Sequence, residues 1–361
     1  MSGSTVRTAT KAVKSISQAE KTLVNAALKP QTFRYTAQLT KYLEQHFITH
    51  EPGRFLIVPK PYGISCLGHK SVGGGVFKSS VFNEQDKEEV QPTTSKTDIV
   101  LEECIPSLSR YFREPKLHFC VGLKRYLSGA IVLPCRAEDH QNIINSLKHM
   151  NQASQEDYHY RSLALLLGTP QESSGTITGY ATFHKTGQHS EYVFVPGKST
   201  RREKTGKFAV GGTIEYTVLA KKFGCSLVEF GTNKFARHLP RLAFTSLHSP
   251  ILGDPLYMKR LLDVDGEPVL VKPGQSGKQW YPKLLSERLG KDFSKLQTEM
   301  PLYCHVYQTA FPRYGWKIGK KGSQQEQMDL IASAPPPPHF LAMVETLQMD
   351  DALNKFLRGE D

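Results

Sequence analysis

The stretch Val228–Met258, VEFGTNKFARHLPRLAFTSLHSPILGDPLYM, decides how the chain is read. It opens on a β-rich run ending at Phe230 and then gathers Lys234, Arg237, His238 and Arg241 within eight residues. Cations packed that closely after a strand point to a basic groove that can track phosphates, the other reading being a solvated charged loop. The stretch closes on Pro250, Gly253, Asp254 and Tyr257, a turn-forming composition.

On either side the apolar runs are short and β-rich: Phe55–Val58, Ala130–Pro134, Tyr158–Leu167, Thr176–Thr182, Tyr192–Val195, Thr213–Leu219 and Ser226–Phe230. Helical spacing is expected at 36–48, at 99–112, at His140–Met150 with Asp139 as its cap, and at Phe340–Phe356 after the four prolines 335–338. Strands with a few helices interleaved, without regular βαβ alternation, specify an α+β fold rather than a doubly wound sheet. Residues 70–98 run from Gly-rich to polar and charged, and read as an insertion with little to bury.

The chain has 361 residues, 39% of them hydrophobic and 22% charged, which excludes collagen, coiled coil and wholesale disorder. No apolar run approaches the ~20 residues that cross a bilayer, so no membrane span is expected. The formal net charge is +12, and the commonest polyanion such a surface meets is nucleic acid. Cys66, Cys104, Cys120, Cys135, Cys225 and Cys304 are scattered, with no zinc spacing, and read as buried thiols in a reducing compartment. Residues 1–30 carry Arg7, Lys11, Lys14, Lys21 and Lys29 against the single acid Glu20. That bias suits a mitochondrial transit peptide, and residues 1–35 are expected to be a cleaved or flexible N-terminus leading to the matrix.

Two phosphate-loop patterns fail. The GKST at 197–200 has Tyr192 where a P-loop needs Gly, and RREKTGK follows it instead of an apolar helix. The Gly73–Gly75 run lacks the dinucleotide spacing. The basic segment 198–207, with Arg201, Arg202 and Lys204, is expected at a hairpin tip, where it can follow a phosphate backbone.

Several motifs carry a resemblance. Val228–Met258 looks like the third motif of the RluA-type pseudouridine synthases, R-T-H-Q-I-R-V-H-L-A-x-x-G-H-P-I-L-G-D-x-x-Y, through His238, Arg241, Pro250, Gly253, Asp254 and Tyr257. VPKPYGISC resembles the family's N-K-P-x-G through Lys60, Pro61 and Gly63. Thr213 and Tyr216 resemble the A-x-T-x-Y-x-V-L strand, and His305, Phe311 and Pro312 resemble L-H-A-x-x-L-x-F-x-H-P. The resemblance covers roughly residues 54–350, with the motifs in the right order. It implies a pseudouridine synthase-like mixed β-sheet flanked by helices and loops over residues 50–350, a C-terminal tail at 351–361, RNA in a basic cleft, and an isomerisation that calls for no metal, nucleotide or redox cofactor.

The family chemistry uses an Asp in H-R-L-D-K-D-T-S-G that attacks the nucleoside, so that uracil detaches, rotates and rejoins through carbon. Aligning the Ser-Gly end on Ser128 and Gly129 puts VGLKRYLSG across that motif, with Lys124 at the Asp position. Between Ile105 and Arg136 the only acid is Glu114, outside the motif. Asp254 resembles the family's structural turn Asp. The family's K-x-Y-x-A tyrosine falls on Ser162, with Tyr160 two residues earlier on the same strand face, either a substitute or a core residue.

Lys124 facing Arg241 is expected to repel it by about 4 kcal/mol at 4 Å and an effective dielectric near 20. Lys124, Arg125, His238 and Arg241 are therefore expected to hold a backbone phosphate. Lys60, Arg201, Arg202, Lys204, Lys234 and Arg237 complete the expected RNA contacts. The resulting expectation is a mitochondrial RNA-binding protein, acting on ribosomal or messenger RNA, with ribosome or RNA-granule proteins as partners and catalysis lost. The alternatives are an active RNA pseudouridine synthase using a non-standard residue, and a scaffold whose basic face docks protein or anionic lipid.

Overall fold

The computed structural model describes residues 17–67, 99–152, 158–186, 189–197, 209–291, 300–317 and 326–360. Helix α1 (Gln18–Leu28) starts at a capping box, in which the Ser17 hydroxyl accepts from the Glu20 N–H and the Glu20 carboxylate accepts from the Ser17 N–H. Helix α2 (Thr36–Gln45) buries Leu39 and Leu43, one turn apart. Strands β1 (Thr49–Glu51) and β2 (Phe55–Lys60) form a hairpin, and a 3₁₀ turn at Leu101–Cys104 runs into α3 (Ile105–Phe112). Then come β3 (Ser128–Pro134), α4 (Ala137–Gln152) and β4 (Tyr160–Leu167).

Strands β5 (Ser174–Thr186) and β6 (His189–Pro196) form a second hairpin. Strands β7 (Ala209–Lys222) and β8 (Cys225–Thr232) are joined by Phe223 and Gly224, with φ of 54° and 74°. Two left-handed residues are what a tight turn between right-twisted strands requires. After a 3₁₀ turn at Ala236–His238 the chain makes α5 (Leu239–Ser246), the separate hairpin β9 (Leu261–Val264) and β10 (Glu267–Leu270), and α6 (Lys283–Leu289). It ends with β11 (Cys304–Lys317), β12 (Glu326–Ser333), α7 (Pro338–Thr346) and α8 (Asp350–Arg358).

Among the described residues, ten strands form one mixed sheet in the order β1-β2-β3-β11-β4-β8-β7-β5-β6, with β12 also paired to β11. Only β3 and β11 run parallel, through Ser128↔His305 and Gly129↔Val306. A side chain at Gly129 would press into the Val306 backbone, so this crossing needs glycine. Both faces are covered, which explains why β4 reads as a leucine run rather than an alternation. Tyr160, Ala164 and Leu166 meet α5 through Leu239, Leu242 and Phe244, while Leu163, Leu165 and Leu167 meet α1 and α7.

The mixed α+β sheet flanked by helices agrees with the sequence reading, and all six cysteines are free and buried. Four expectations are corrected. The flexible N-terminus does not extend through residue 35, because Val24, Ala27 and Leu28 of α1 are buried in the core. The Ala27 carbonyl accepts from Tyr303 Oη at 2.9 Å, and Glu20 pairs with Arg288 at 2.8 Å. The single helix 340–356 is two, since Gln348 takes a left-handed φ of 54°, and the expected tail folds as α8 with Leu353 buried. Asp139 lies inside the first turn of α4, where Tyr314 Oη and Arg136 Nε donate to its carboxylate, both at 2.6 Å. The insertion at 70–98 lies outside the described residues. No described helix is long and apolar enough to cross a membrane.

Candidate functional site at the start of helix α5

Between β8 and α5 the backbone twice enters the left-handed region at non-glycine residues, Arg237 with φ of 51° and His238 with φ of 58°. Each such residue costs roughly 1–2 kcal/mol, which the buried packing of α5 offsets. Pro240, in the first turn of α5, has a φ already set for a helix start. The kink leaves Arg237 and His238 half-buried at the edge of the helix and sends Arg241 inward.

Arg241 Nε and Nη2 donate to Asp254 Oδ2 and Oδ1 at 2.8 and 2.7 Å, a bidentate pair. The Leu256 and Tyr257 N–H groups also donate to Asp254 Oδ1, at 2.9 and 3.0 Å. The turn that delivers Asp254 needs Gly253, whose φ is 80° and where a side chain would run into the Pro301 carbonyl. The rings of Tyr126 and Tyr257 lie 4.7 and 5.1 Å from the Arg241 guanidinium. Burial alone would raise the Asp254 pKa, but the Arg241 charge and the four donors hold it below the usual carboxylate range.

His238 Nδ1 lies 2.9 Å from Tyr257 Oη. Burial, then the Arg241 and Lys124 charges, bring its pKa down to about 3 against the pull of Asp254, so the ring is neutral at pH 7. Lys124 itself is only 6% exposed. Its loop is pinned from beneath: Lys60 Nζ donates to the carbonyls of Leu127, Pro61 and Arg125 at 2.6, 3.1 and 3.4 Å. The Gly63 N–H donates to the Arg125 carbonyl at 2.9 Å, and Arg125 Nε donates back to the Gly63 carbonyl at 3.0 Å.

The loop then enters β3 at Ser128, whose Oγ is 2.9 Å from His305 Nδ1. His305 Nε2 faces the Ala334 carbonyl at 2.9 Å and must donate to it. Burial lowers the His305 pKa to about 4, so the ring is neutral and Nδ1 accepts the Ser128 hydroxyl proton.

The structure therefore brings Lys124, His238, Arg241, Asp254 and Tyr257 together, with Arg125 exposed beside them. It corrects several expected roles. Lys60 is a buried loop anchor, its ammonium spent on carbonyls. Arg241 is a buried ion-pair cation, and the anion that compensates it is the Asp254 carboxylate rather than an RNA phosphate. Burial and the Arg241 charge hold His238 neutral, so in this state it adds no positive charge to the cluster.

Tyr160 is a core residue, its ring 5.2 Å from Phe235 and 4.1 Å from His159. Ser162 is fully buried on the same strand face. Lys234 Nζ donates to the Gly211 carbonyl at 3.4 Å, and the Arg237 guanidinium lies 5.8 Å from the Tyr192 ring. Glu114 is occupied elsewhere, accepting from the Gly53 N–H at 2.7 Å and meeting His50 at 2.9 Å. Arg201, Arg202 and Lys204 lie outside the described residues.

Four members of this neighbourhood escaped the sequence reading. Tyr62 Oη accepts from the Leu302 N–H at 3.0 Å and feels the charges of Arg241 and Asp254. Tyr126, two residues beyond Lys124, and Tyr192, in an alternating YVFV run, carried only the signal of an aromatic beside a basic segment. Glu191 on β6, 3.8 Å from Arg260, exerts its field on Tyr257.

No protein-family model matches the sequence, and neither does any curated protein. Among solved structures, the human RNA pseudouridylate synthase domain containing 4 is similar at a TM-score of 0.56 and 16% identity, over 87% of this chain and 97% of that one. The human RNA pseudouridylate synthase domain containing 1 aligns at a TM-score of 0.46 and 16% identity, over 87% of this chain and 94% of that one. Over 87% of its length, the chain thus has the fold seen in the human RNA pseudouridylate synthase domain containing 4.

Proposed function

We propose that the protein is an RNA-binding relative of the RluA-type pseudouridine synthases that acts on mitochondrial RNA, ribosomal or messenger, and has lost isomerase activity. One observation carries the loss. At the position where the resemblance calls for a nucleophilic carboxylate stands Lys124, and the carboxylate of its cluster, Asp254, is fully buried in a bidentate pair with Arg241, with three donors on Oδ1 and one on Oδ2. A carboxylate buried and anchored in this way is held away from solvent and committed to Arg241, which is the reverse of a nucleophile placed to meet a nucleoside. The net charge of +12, the basic first thirty residues and the fold support the RNA and mitochondrial parts of the reading.

The rival reading, an active synthase with a non-standard residue, has Glu191 as its candidate, a partly exposed carboxylate whose field reaches Tyr257. Filter binding of purified protein to mitochondrial RNA lacking its own modifications, with heparin as competitor, tests the proposal when the same samples are mapped for pseudouridine. The expected result is salt-sensitive binding that prefers RNA to heparin, with no new pseudouridine. Equal affinity for heparin contradicts RNA recognition, and new pseudouridine at defined sites contradicts the loss of activity.

A further inference from the structure

From the buried ion pair a file of aromatic rings leads outward to the surface. Tyr126 covers the Arg241 guanidinium at 4.7 Å, and its ring lies 5.9 Å from His238. His238 lies 6.2 Å from Tyr192 on β6, over which the Arg237 guanidinium sits at 5.8 Å. The β5–β6 register sets Tyr192 directly opposite Phe183, their rings 5.3 Å apart, and Phe183 is 54% exposed. Lys185, two residues along β5 and so on the same face, is exposed beyond it.

One exposed ring is ordinary by itself; what sets Phe183 apart is its place at the end of this file of rings with cations on either side. A protein partner calls for a broad apolar patch, whereas this ring is flanked by Lys185 and, through Tyr192, by Arg237. A flat ring edged with cations suits a nucleobase with its phosphate. In a duplex the base faces are already stacked on one another, so an unpaired strand is the form that can use it.

We infer that Phe183, backed by Tyr192, is a stacking platform for an unpaired base of an RNA whose strand runs from the β5–β6 hairpin toward the Arg241–Asp254 site, with Lys185 and Arg237 beside its phosphates. This deepens the proposed function and rests on it. The platform is a binding element and takes no part in bond making.

The test uses the full chain and the variants Phe183→Ala and Phe183→Trp. Their binding to an unstructured oligouridine carrying a fluorescent base analogue, and to an RNA duplex of the same length, is followed at several salt concentrations. Phe183→Ala is expected to weaken oligouridine binding by about tenfold and to abolish quenching of the analogue. Duplex affinity and the salt slope should stay as they are, because no phosphate contact is removed. Phe183→Trp is expected to restore both affinity and quenching, and because the ring is exposed both variants should melt as the parent does. Oligouridine affinity unchanged in Phe183→Ala, while the parent protein binds RNA, overturns the platform and leaves the RNA reading standing. A parent protein that binds neither RNA overturns both.

Discussion

A lysine ammonium held against three carbonyls, as Lys60 is, exchanges its hydration for charge-assisted hydrogen bonds that also fix the chain making them. Lys60→Met should cost about 3 kcal/mol in urea unfolding, since hydrogen bonds to a charged group are worth about 1.5–3 kcal/mol. It should also speed amide exchange at Gly63 and Leu127, whose N–H groups close the loop. The Arg241–Asp254 pair sets a larger penalty. Asp254→Asn leaves a buried guanidinium uncompensated, and the expected loss is about 3–5 kcal/mol by the same measurement. Because the Asp254 pKa is depressed on folding, its stabilisation is fully present above the unfolded carboxylate pKa and is lost as pH falls through the folded one. The sequence drew attention to Lys124 and Arg241, but not to Asp254 as partner to Arg241, because spacing alone does not say which way a turn aims its carboxylate.

At the scale of elements, three buried histidines and the half-buried His238 sit where elements join. His159 Nδ1, just ahead of β4, donates to the Ala310 carbonyl of β11, His305 links β3 to Ala334, His238 stands at the N-terminal boundary of α5, and His339 of α7 packs against Tyr62 and Tyr303. Burial is the largest cause for each, lowering the pKa to about 4 for His159, His305 and His339 and to about 3 for His238. An unfolded histidine binds its proton near pH 6.5, so the unfolded state takes up protons that the folded state refuses. Stability should therefore be full above pH 7, begin to fall as pH drops below about 6.5, and go on falling toward the folded pKa values, by up to about 1.4 kcal/mol per pH unit for each histidine. His339→Phe should flatten that acid limb by one proton when urea midpoints are measured against pH.

The elements that sequence reading recovered, β2 to β8, are those whose apolar runs are continuous or alternate cleanly. It missed β11 as a strand because Pro312, Gly315 and a bulge between Phe311 and Gly315 break the alternation. It read LPRLAFTS for its charges, although Pro240 followed by Leu242, Ala243 and Phe244 is a helix start with a buried stripe.

For the whole molecule, helix α1 ties the N-terminal segment to the core. A chain lacking residues 1–28 uncovers α7 and Tyr303, and with three buried apolar side chains gone it should melt markedly lower. The proposed import signal therefore ends upstream of Ser17, which N-terminal sequencing of protein recovered from mitochondria checks directly.

The central claim, a pseudouridine synthase fold that grips RNA without isomerising it, is met most directly by one measurement. Forming pseudouridine moves the glycosidic bond from nitrogen to C5 of uracil and frees the hydrogen at C5. Unmodified mitochondrial RNA carrying tritium at uridine C5 is incubated with protein in excess over RNA, and retained RNA and released tritium are followed together. The account predicts RNA retained on the filter with no tritium released above the protein-free rate. Tritium released in step with pseudouridine at defined sites would contradict it.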